Sequence, residues 1–188
     1  MNKQIIFVTG NSYKFEVAQK SLEGSSVELI QQKLDTPEIQ STSVEEVASY
    51  SAKWASEKLG QPVAVTDAGY FIEALSGFPG PYIKYINQWL TADDIVNLME
   101  GKPNRKVIAK DCLAYCEPGK EPVTFTKESF GTISEKPEKI DDSSPIDEVF
   151  IPEGFDKPQT LIPKRDMINF WAKGDDNWKK LANYLINS

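Results

Sequence analysis

Apolar and polar residues along the first third of the chain predict a strand, a helix, a strand, a helix and a third strand. Residues 5–8 form a short apolar run rich in β-branched and aromatic side chains, typical of a buried strand. Helical spacing follows from Tyr13 and again from Ser43, and strand patterns return at 27–30 and 63–65. This alternation favours an α/β fold.

The remaining two thirds predict a long hairpin among helices. Residues 106–116 and 123–133 flank the turn signal Glu-Pro-Gly-Lys at 117–120 and should pair as two antiparallel strands. We place the end of the third strand at Thr66-Asp67, with a separate strand or hairpin at 68–74. Further helices are predicted at 82–90, from Thr91, at 165–173 and at 176–186, and a short strand at 149–151.

Three local signals fix helix ends. Ser43 and Glu46 have the spacing of a capping box, and Gly60 should end the same helix. Thr91 with Asp94 indicates a second N-cap.

Composition restricts the function classes. The 188 residues suit a single domain of two lobes, and a net charge of −7 argues against a duplex nucleic-acid binder. The chain has no histidine, which excludes a histidine base and a histidine-liganded zinc site. Cys112 and Cys116 are expected to be buried thiols in a reducing compartment. No apolar run reaches the ~20 residues of a membrane span or the length of a signal-peptide core, so we expect a cytoplasmic protein without a membrane partner.

The turn after the first strand is the first candidate site. Thr9-Gly10-Asn11 separates a strand from a helix, and the unpaired N–H groups of such a turn, with the helix dipole, suit a phosphate. Gly10 allows close approach of the backbone, and Lys14 adds a positive charge one turn into the helix. An ordinary strand–turn–helix with a solvated lysine explains the same pattern.

Two carboxylates suggest a metal. Asp67 follows a buried strand, where open α/β sheets place ligand groups, and Glu38 lies in a proline-containing loop after another strand. Mg²⁺ uses one or two carboxylates together with water and phosphate oxygens. Lys14, Lys53 and Lys84 could then neutralise a triphosphate. Each of these residues alone is also explained as a cap, a turn acceptor or a solvated surface group.

Four segments, taken together, resemble the inosine triphosphate pyrophosphatase family, which removes deaminated purine nucleotides. They occur in the family's order within the first 90 residues: FVTGNSYK at 7–14, DTPEIQ at 35–40, TD at 66–67 and GFPGPYIK at 77–84. The resemblance implies an elongated mixed β-sheet flanked by helices, with two lobes around a central cleft. It also implies hydrolysis of a nucleoside triphosphate between its α and β phosphates, a Mg²⁺ cofactor and a homodimer.

The resemblance also assigns roles to individual residues. It implies that Glu38 and Asp67 bind magnesium, and that Asp67 accepts the proton of the attacking water. The implied substrate-binding residues are Thr9, Gly10, Asn11, Lys14, Lys53, Lys84, Asp147 and Lys164.

The sequence departs from the family pattern in the half that recognises the base. Where the family has two aromatics that stack on the purine, this chain has SPIDE at 144–148, and only Asp147 is retained. The Ser-His-Arg expected shortly after Lys164 is absent. Arg165, Phe170 or Trp171 could substitute, although a helix face packed on the core is the simpler explanation of the two aromatics.

These departures leave four hypotheses. The first is a magnesium-dependent pyrophosphatase for deaminated purine nucleotides with altered or relaxed base preference. The second is the same reaction on pyrimidine or modified nucleotides. The third is a nucleotide-binding or sensing protein without turnover, which retention of Glu38, Asp67, Lys14 and Lys53 disfavours. The fourth is a structural dimer partner with a relic cleft.

Overall fold

The structure is a computed structural model that describes residues 3–187, and it contains seven strands and six α-helices within that range. The strands are β1 (Lys3–Val8), β2 (Val27–Gln32), β3 (Val63–Ile72), β4 (Pro79–Gly80), β5 (Lys106–Cys116), β6 (Val123–Ile133) and β7 (Phe150–Pro152). The helices are α1 (Ser12–Ser21), α2 (Val44–Leu59), α3 (Ile83–Trp89), α4 (Ala92–Leu98), α5 (Lys164–Trp171) and α6 (Asn177–Asn187).

The strands form one mixed sheet in the order β2-β1-β3-β5-β6-β7, with β4 paired to β3. β1 lies parallel to both β2 and β3, whereas β4 and β7 pair antiparallel with β3 and β6. The predicted α/β class with a mixed sheet is therefore confirmed. The two strands of the long hairpin have the predicted bounds.

One strand prediction is wrong. Asp67 does not end a strand, because β3 continues without a break to Ile72. The continuation is stabilised by β4, whose Gly80 pairs with Tyr70. Close approach of the two backbones requires glycine at position 69, where a β-carbon would lie 2.7 Å from the Gly80 carbonyl. Asp67 thus lies in the interior of a ten-residue strand.

The chain divides into two compact units. The first comprises the residues up to Asp67, Asp111–Lys127 and the residues from Ile168 onward. Its core is built around Phe7, which contacts the Trp178 ring edge-on at a centroid distance of 4.7 Å. Leu113 and Leu181 are buried in the same cluster.

The second unit comprises Ala68–Lys110 and Glu128–Met167. Phe150 is fully buried there and packs edge-to-face on Tyr70 at 5.1 Å. The guanidinium group of Arg105 donates to the carbonyl groups of Ile133 and Ser134, which ties the start of β5 to the end of β6.

The helix ends largely follow the predicted signals. Ser43 caps α2 through a hydrogen bond from the Glu46 N–H, but the Glu46 carboxylate accepts from Ser41 instead of completing the box. Gly60 ends α2 in the left-handed conformation, at φ 63°. Thr91 and Asp94 form a complete capping box at α4.

Two further expectations concern the thiols and the membrane. Cys112 and Cys116 are both buried thiols outside any disulfide, as predicted. Within residues 3–187, no helix combines the length and apolar character that crossing a membrane requires.

Gly131 should be sensitive to the smallest substitution. A β-carbon at this position would lie 2.4 Å from both the Ile151 carbonyl oxygen and the Phe150 ring. We expect Gly131→Ala to lower the free energy of unfolding by about 1–3 kcal/mol, because strand and ring must shift to make room. Gly10→Ala is the matched control, since its β-carbon would meet only Lys33 at 3.5 Å. Urea unfolding of both variants checks the prediction, and equal stabilities would contradict it.

Candidate functional site

Asn11 organises the turn between β1 and α1. Its side-chain oxygen accepts hydrogen bonds from the N–H groups of Tyr13 at 2.9 Å and Lys14 at 3.2 Å, so it is the N-cap of α1. Its own N–H donates to the Thr9 hydroxyl at 3.1 Å. The N–H groups of Tyr13 and Lys14, which were predicted to be available to an anion, are therefore used by Asn11 itself. An anion at this turn would meet the amide Nδ2 of Asn11 and the positive end of the helix.

Strand register places Asp67 level with this turn. β1 and β3 are parallel, and Phe7 is paired with Ala64. Gly10 is three residues beyond Phe7, and Asp67 is three residues beyond Ala64. Neighbouring strands lie about 4.8 Å apart, so this register, continued by three residues, sets the Asp67 backbone beside Gly10 in the turn that follows β1. Asp67 is therefore well placed for a ligand of the turn, although it does not end its strand.

The Asp67 side chain is partly buried. Its Oδ2 atom is shielded from solvent. A partly buried carboxylate is held in fewer orientations than an exposed one, which suits a metal ligand or a general base.

Lys33 is a further neighbour of the turn, and it was not among the predicted site residues. Its aliphatic chain lies beside Gly10, with Cγ 3.5 Å from the position of a β-carbon there. The strand register explains the position of Lys33, because β2 runs parallel to β1 with Gln32 paired to Val8. The residue that follows β2 must then lie beside the residues that follow β1. Gly10 does not adopt the left-handed backbone conformation, so a positive φ does not explain why glycine occupies this position.

Glu38 lies in the exposed loop that follows β2. The buried hydroxyl of Ser51 donates to the Pro37 carbonyl at 3.4 Å and so attaches this loop to α2. Ser51 therefore lies on the buried side of α2 and uses its polar atom to hold the loop.

The two candidate metal ligands, Glu38 and Asp67, fit magnesium better than they fit a metal ion that takes all its ligands from the protein. Among residues 3–187, no group of three or more acidic, cysteine or histidine side chains is arranged to hold a metal ion. Glu38 and Asp67 are oxygen donors in the same compact unit as Lys14. Mg²⁺ accepts one or two carboxylates and completes its shell with water and phosphate oxygens. These two residues would hold it.

Lys53 has a partner in the hairpin. Its ammonium group forms an ion pair with Glu121 at 2.5 Å, at the turn between β5 and β6. This hydrogen bond and the Glu121 charge raise the pKa of Lys53 above its usual value. Both side chains are well exposed, so the pair is open to exchange with another anion. The substrate role of Lys53 stays a prediction.

The remaining predicted residues lie in the second unit. Lys84 is exposed on α3, with its ammonium group 6.0 Å from the centre of the Tyr85 ring. Lys164 is the first residue of α5 and is exposed. Asp147 accepts a hydrogen bond from the Gln159 amide. Burial raises the pKa of Asp147, and hydrogen bonds from Ser144 and Gln159 oppose that shift.

The proposed substitutes for the purine-stacking aromatics lie near the end of α5. Phe170 and Trp171 contact each other edge-to-face at 4.9 Å and are partly buried. The ammonium group of Lys127 donates to the Trp171 carbonyl at 2.6 Å. Arg165 is exposed one residue into the same helix. Their role in base binding stays a prediction.

Comparisons with known proteins agree on one family. The model of the Ham1 family matches residues 5–165. A dITP/XTP pyrophosphatase of Methanopyrus kandleri is 46% identical over 153 residues, which are 81% of each chain. One of Thermococcus kodakarensis is 40% identical over 154 residues, 82% of each chain. The solved structure of a HAM1 protein from Coxiella burnetii has a TM-score of 0.81 at 19% identity, covers 99% of this chain and 100% of its own, and shows the shared fold.

The two functions of Asn11 can be separated by substitution. Asn11→Ala removes the cap acceptor and should lower the free energy of unfolding by about 1 kcal/mol. Asn11→Asp keeps the acceptor and should leave stability near that of the unmodified protein, but its negative charge should weaken binding of pyrophosphate. Urea unfolding and calorimetry with pyrophosphate measure the two effects. Undiminished pyrophosphate binding by Asn11→Asp would remove this turn from the site.

Burial of Asp147 should make stability depend on pH. Its raised pKa means that the folded chain holds the proton more tightly than the unfolded chain, so stability falls as pH rises from about 4 through the folded pKa. Asp147→Asn lacks this ionisation and should gain stability relative to the unmodified protein as pH increases. Urea unfolding at pH 4, 6 and 8 tests this, with the exposed Asp141→Asn as control. Parallel pH curves for the protein and Asp147→Asn would refute the assignment.

Proposed function

This chain belongs to the Ham1 family, and we propose that it hydrolyses deaminated purine nucleoside triphosphates to the monophosphate and pyrophosphate. The observation that carries the proposal is the register of β1 and β3, which sets Asp67 level with the Asn11 turn. The curated relatives named above are dITP/XTP pyrophosphatases, and they align with most of this chain.

The first unit supplies the groups that a triphosphate requires. Asn11 Nδ2, the start of α1 and Lys14 offer donors and positive charge to phosphate oxygens, and Lys33 lies beside the same turn. Thr9 accepts from the Asn11 N–H and so fixes the turn. Transfer at phosphorus depends mainly on alignment and charge neutralisation, so a site without histidine or a covalent nucleophile suffices.

The water molecule attacks the α-phosphorus, and the bond from that phosphorus to the bridging oxygen breaks, which releases pyrophosphate. Asp67 takes the proton of the attacking water. When bound by Glu38 and Asp67, Mg²⁺ would neutralise phosphate charge and lower the pKa of water. The modest basicity of a carboxylate is then sufficient for the proton transfer.

The residues that would recognise the base are those in which this chain departs from the family pattern. Residues 144–148 carry no aromatic side chain, and Asp147 is hydrogen-bonded to Gln159 within its own unit. A pocket discriminates strongly against a wrong base only when it hydrogen-bonds the atoms that differ. We therefore propose relaxed discrimination, in which pyrimidine or modified nucleoside triphosphates are also cleaved.

The cellular context completes the proposal. We propose a cytoplasmic homodimer that works on free nucleotides. Its buried thiols, which form no disulfide, support a reducing compartment. The exposed, mutually stacked rings of Tyr85 and Trp89 are apolar surface of the kind that subunits bury.

A substrate panel tests the reaction and the base preference together. We expect pyrophosphate release from dITP, XTP and ITP in the presence of Mg²⁺, weaker release from UTP, and none after chelation of the metal. Asp67→Asn should lower kcat by at least about a hundredfold, as loss of a general base does, while its thermal unfolding stays close to that of the parent. Full activity of Asp67→Asn would end the catalytic assignment. Binding of the nucleotides without release of pyrophosphate would favour a sensor.

A further inference from the structure

Two side chains from the end of β2 reach the turn that follows β1. The Gln31 amide Nε2 donates to the Thr9 carbonyl at 3.3 Å. Two residues further along the chain, the Lys33 side chain lies beside Gly10. Its Cγ, Cδ and Cε atoms are 3.5, 3.6 and 3.6 Å from the position that a β-carbon would occupy at residue 10. Both side chains therefore approach the turn from the β2 side of the sheet.

The backbone of the sheet fixes this approach. Parallel pairing sets Val8 opposite Gln32. The Thr9 N–H then donates to the Gln32 carbonyl at 3.0 Å, which continues the pairing by one hydrogen bond beyond the end of β1. Lys33 directly follows this anchored residue. The place of its side chain at the turn is therefore a consequence of strand pairing.

Gly10 leaves the space that the lysine side chain occupies. Three consecutive methylene groups of Lys33 lie within ordinary contact distance of the point where any other residue would have its β-carbon. The ammonium nitrogen is one bond beyond Cε, so it also lies close to the turn. Lys33 is exposed, and an anion from solvent can therefore reach its charge.

A polyphosphate at this turn needs positive charge from side chains. The N–H groups of Tyr13 and Lys14 are already used by Asn11. The chain has a net charge of −7 and no histidine, so lysine and arginine must supply the compensating charge. Lys14 of α1 gives one such charge, and Lys33 gives a second from a different element. Transfer at phosphorus depends on this neutralisation.

We propose that Lys33 is a phosphate-binding residue, whose ammonium group forms a charge-assisted hydrogen bond with a polyphosphate held at the Asn11 turn. A lysine side chain loses rotamer freedom when it binds an anion, and one that already lies against the turn loses less of it. The proposal rests on the proposed function, since it takes the ligand to be the polyphosphate of a nucleotide.

Substitution of Lys33 tests the contact. Calorimetry with inorganic tripolyphosphate and Mg²⁺ measures binding to the full chain, to Lys33→Met and to Lys33→Arg. We expect Lys33→Met to raise Kd roughly tenfold, the size of one lost charge-assisted hydrogen bond. Lys33→Arg keeps the positive charge and should recover most of the affinity. Thermal unfolding of both variants should match that of the parent, because the side chain is exposed.

Lys20→Met is the matched control. It removes the same charge from the last turn of α1, where Lys20 pairs with Glu23 at 2.7 Å. At about 1.5 Å per residue, Lys20 lies about 13 Å along the helix from Asn11, farther than the ~8 Å over which exposed charges act at physiological ionic strength. Its Kd should equal that of the parent. An equal loss of affinity in Lys20→Met and Lys33→Met would overturn the contact, because net charge alone would then explain both.

Pyrophosphate release from dITP, measured on the same samples, separates this inference from the proposed function. An unchanged Kd of Lys33→Met, or failure of the parent to bind tripolyphosphate, would overturn the role of Lys33 whether or not the nucleotide is hydrolysed. Tripolyphosphate binding that depends on Lys33, in a protein that releases no pyrophosphate from any nucleotide, would overturn the proposed function and support the role of Lys33.

Discussion

The parallel pairing of β1 with β2 and β3 is the constraint on which the candidate site depends. Parallel strands end at the same edge of a sheet, so one register decides what lies beside the Asn11 turn. With Val8 paired to Gln32 and Phe7 paired to Ala64, that turn has Lys33 on one side and Asp67 on the other. The apolar residues of β1 fix this register, because a slip of one residue would turn Phe7 out of the core.

Much of this arrangement could be predicted from local sequence signals. The hairpin bounds, the α4 capping box and the left-handed Gly60 each depend on neighbouring residues, and the structure has them all. The same holds for the family and the α/β class. The bounds of β3 could not be predicted, because the strand is prolonged by β4, whose pairing residues follow only after an intervening turn.

The parts of the candidate site near β1 depend on local sequence, and its long-range contacts do not. Asn11 and Lys14 stand next to the turn in sequence, so local spacing alone makes them candidates. The hydrogen bond between Asp111 of β5 and Asn177 of α6 had no such signal, because the two residues are distant in sequence. The ion pair between Lys53 and Glu121 could not be predicted either, because it joins a helix to a hairpin turn that is distant in sequence.

The contact between Phe7 and Trp178 joins residues from near the two ends of the chain. A protein made from its N-terminus outward therefore cannot complete the first unit while α6 is still inside the ribosome. Contacts of such high sequence separation also slow folding, because the intervening chain must close first. The nascent chain would display the β1 turn early and gain its aromatic support only once α6 is available, so the order of synthesis decides when this turn acquires its final packing.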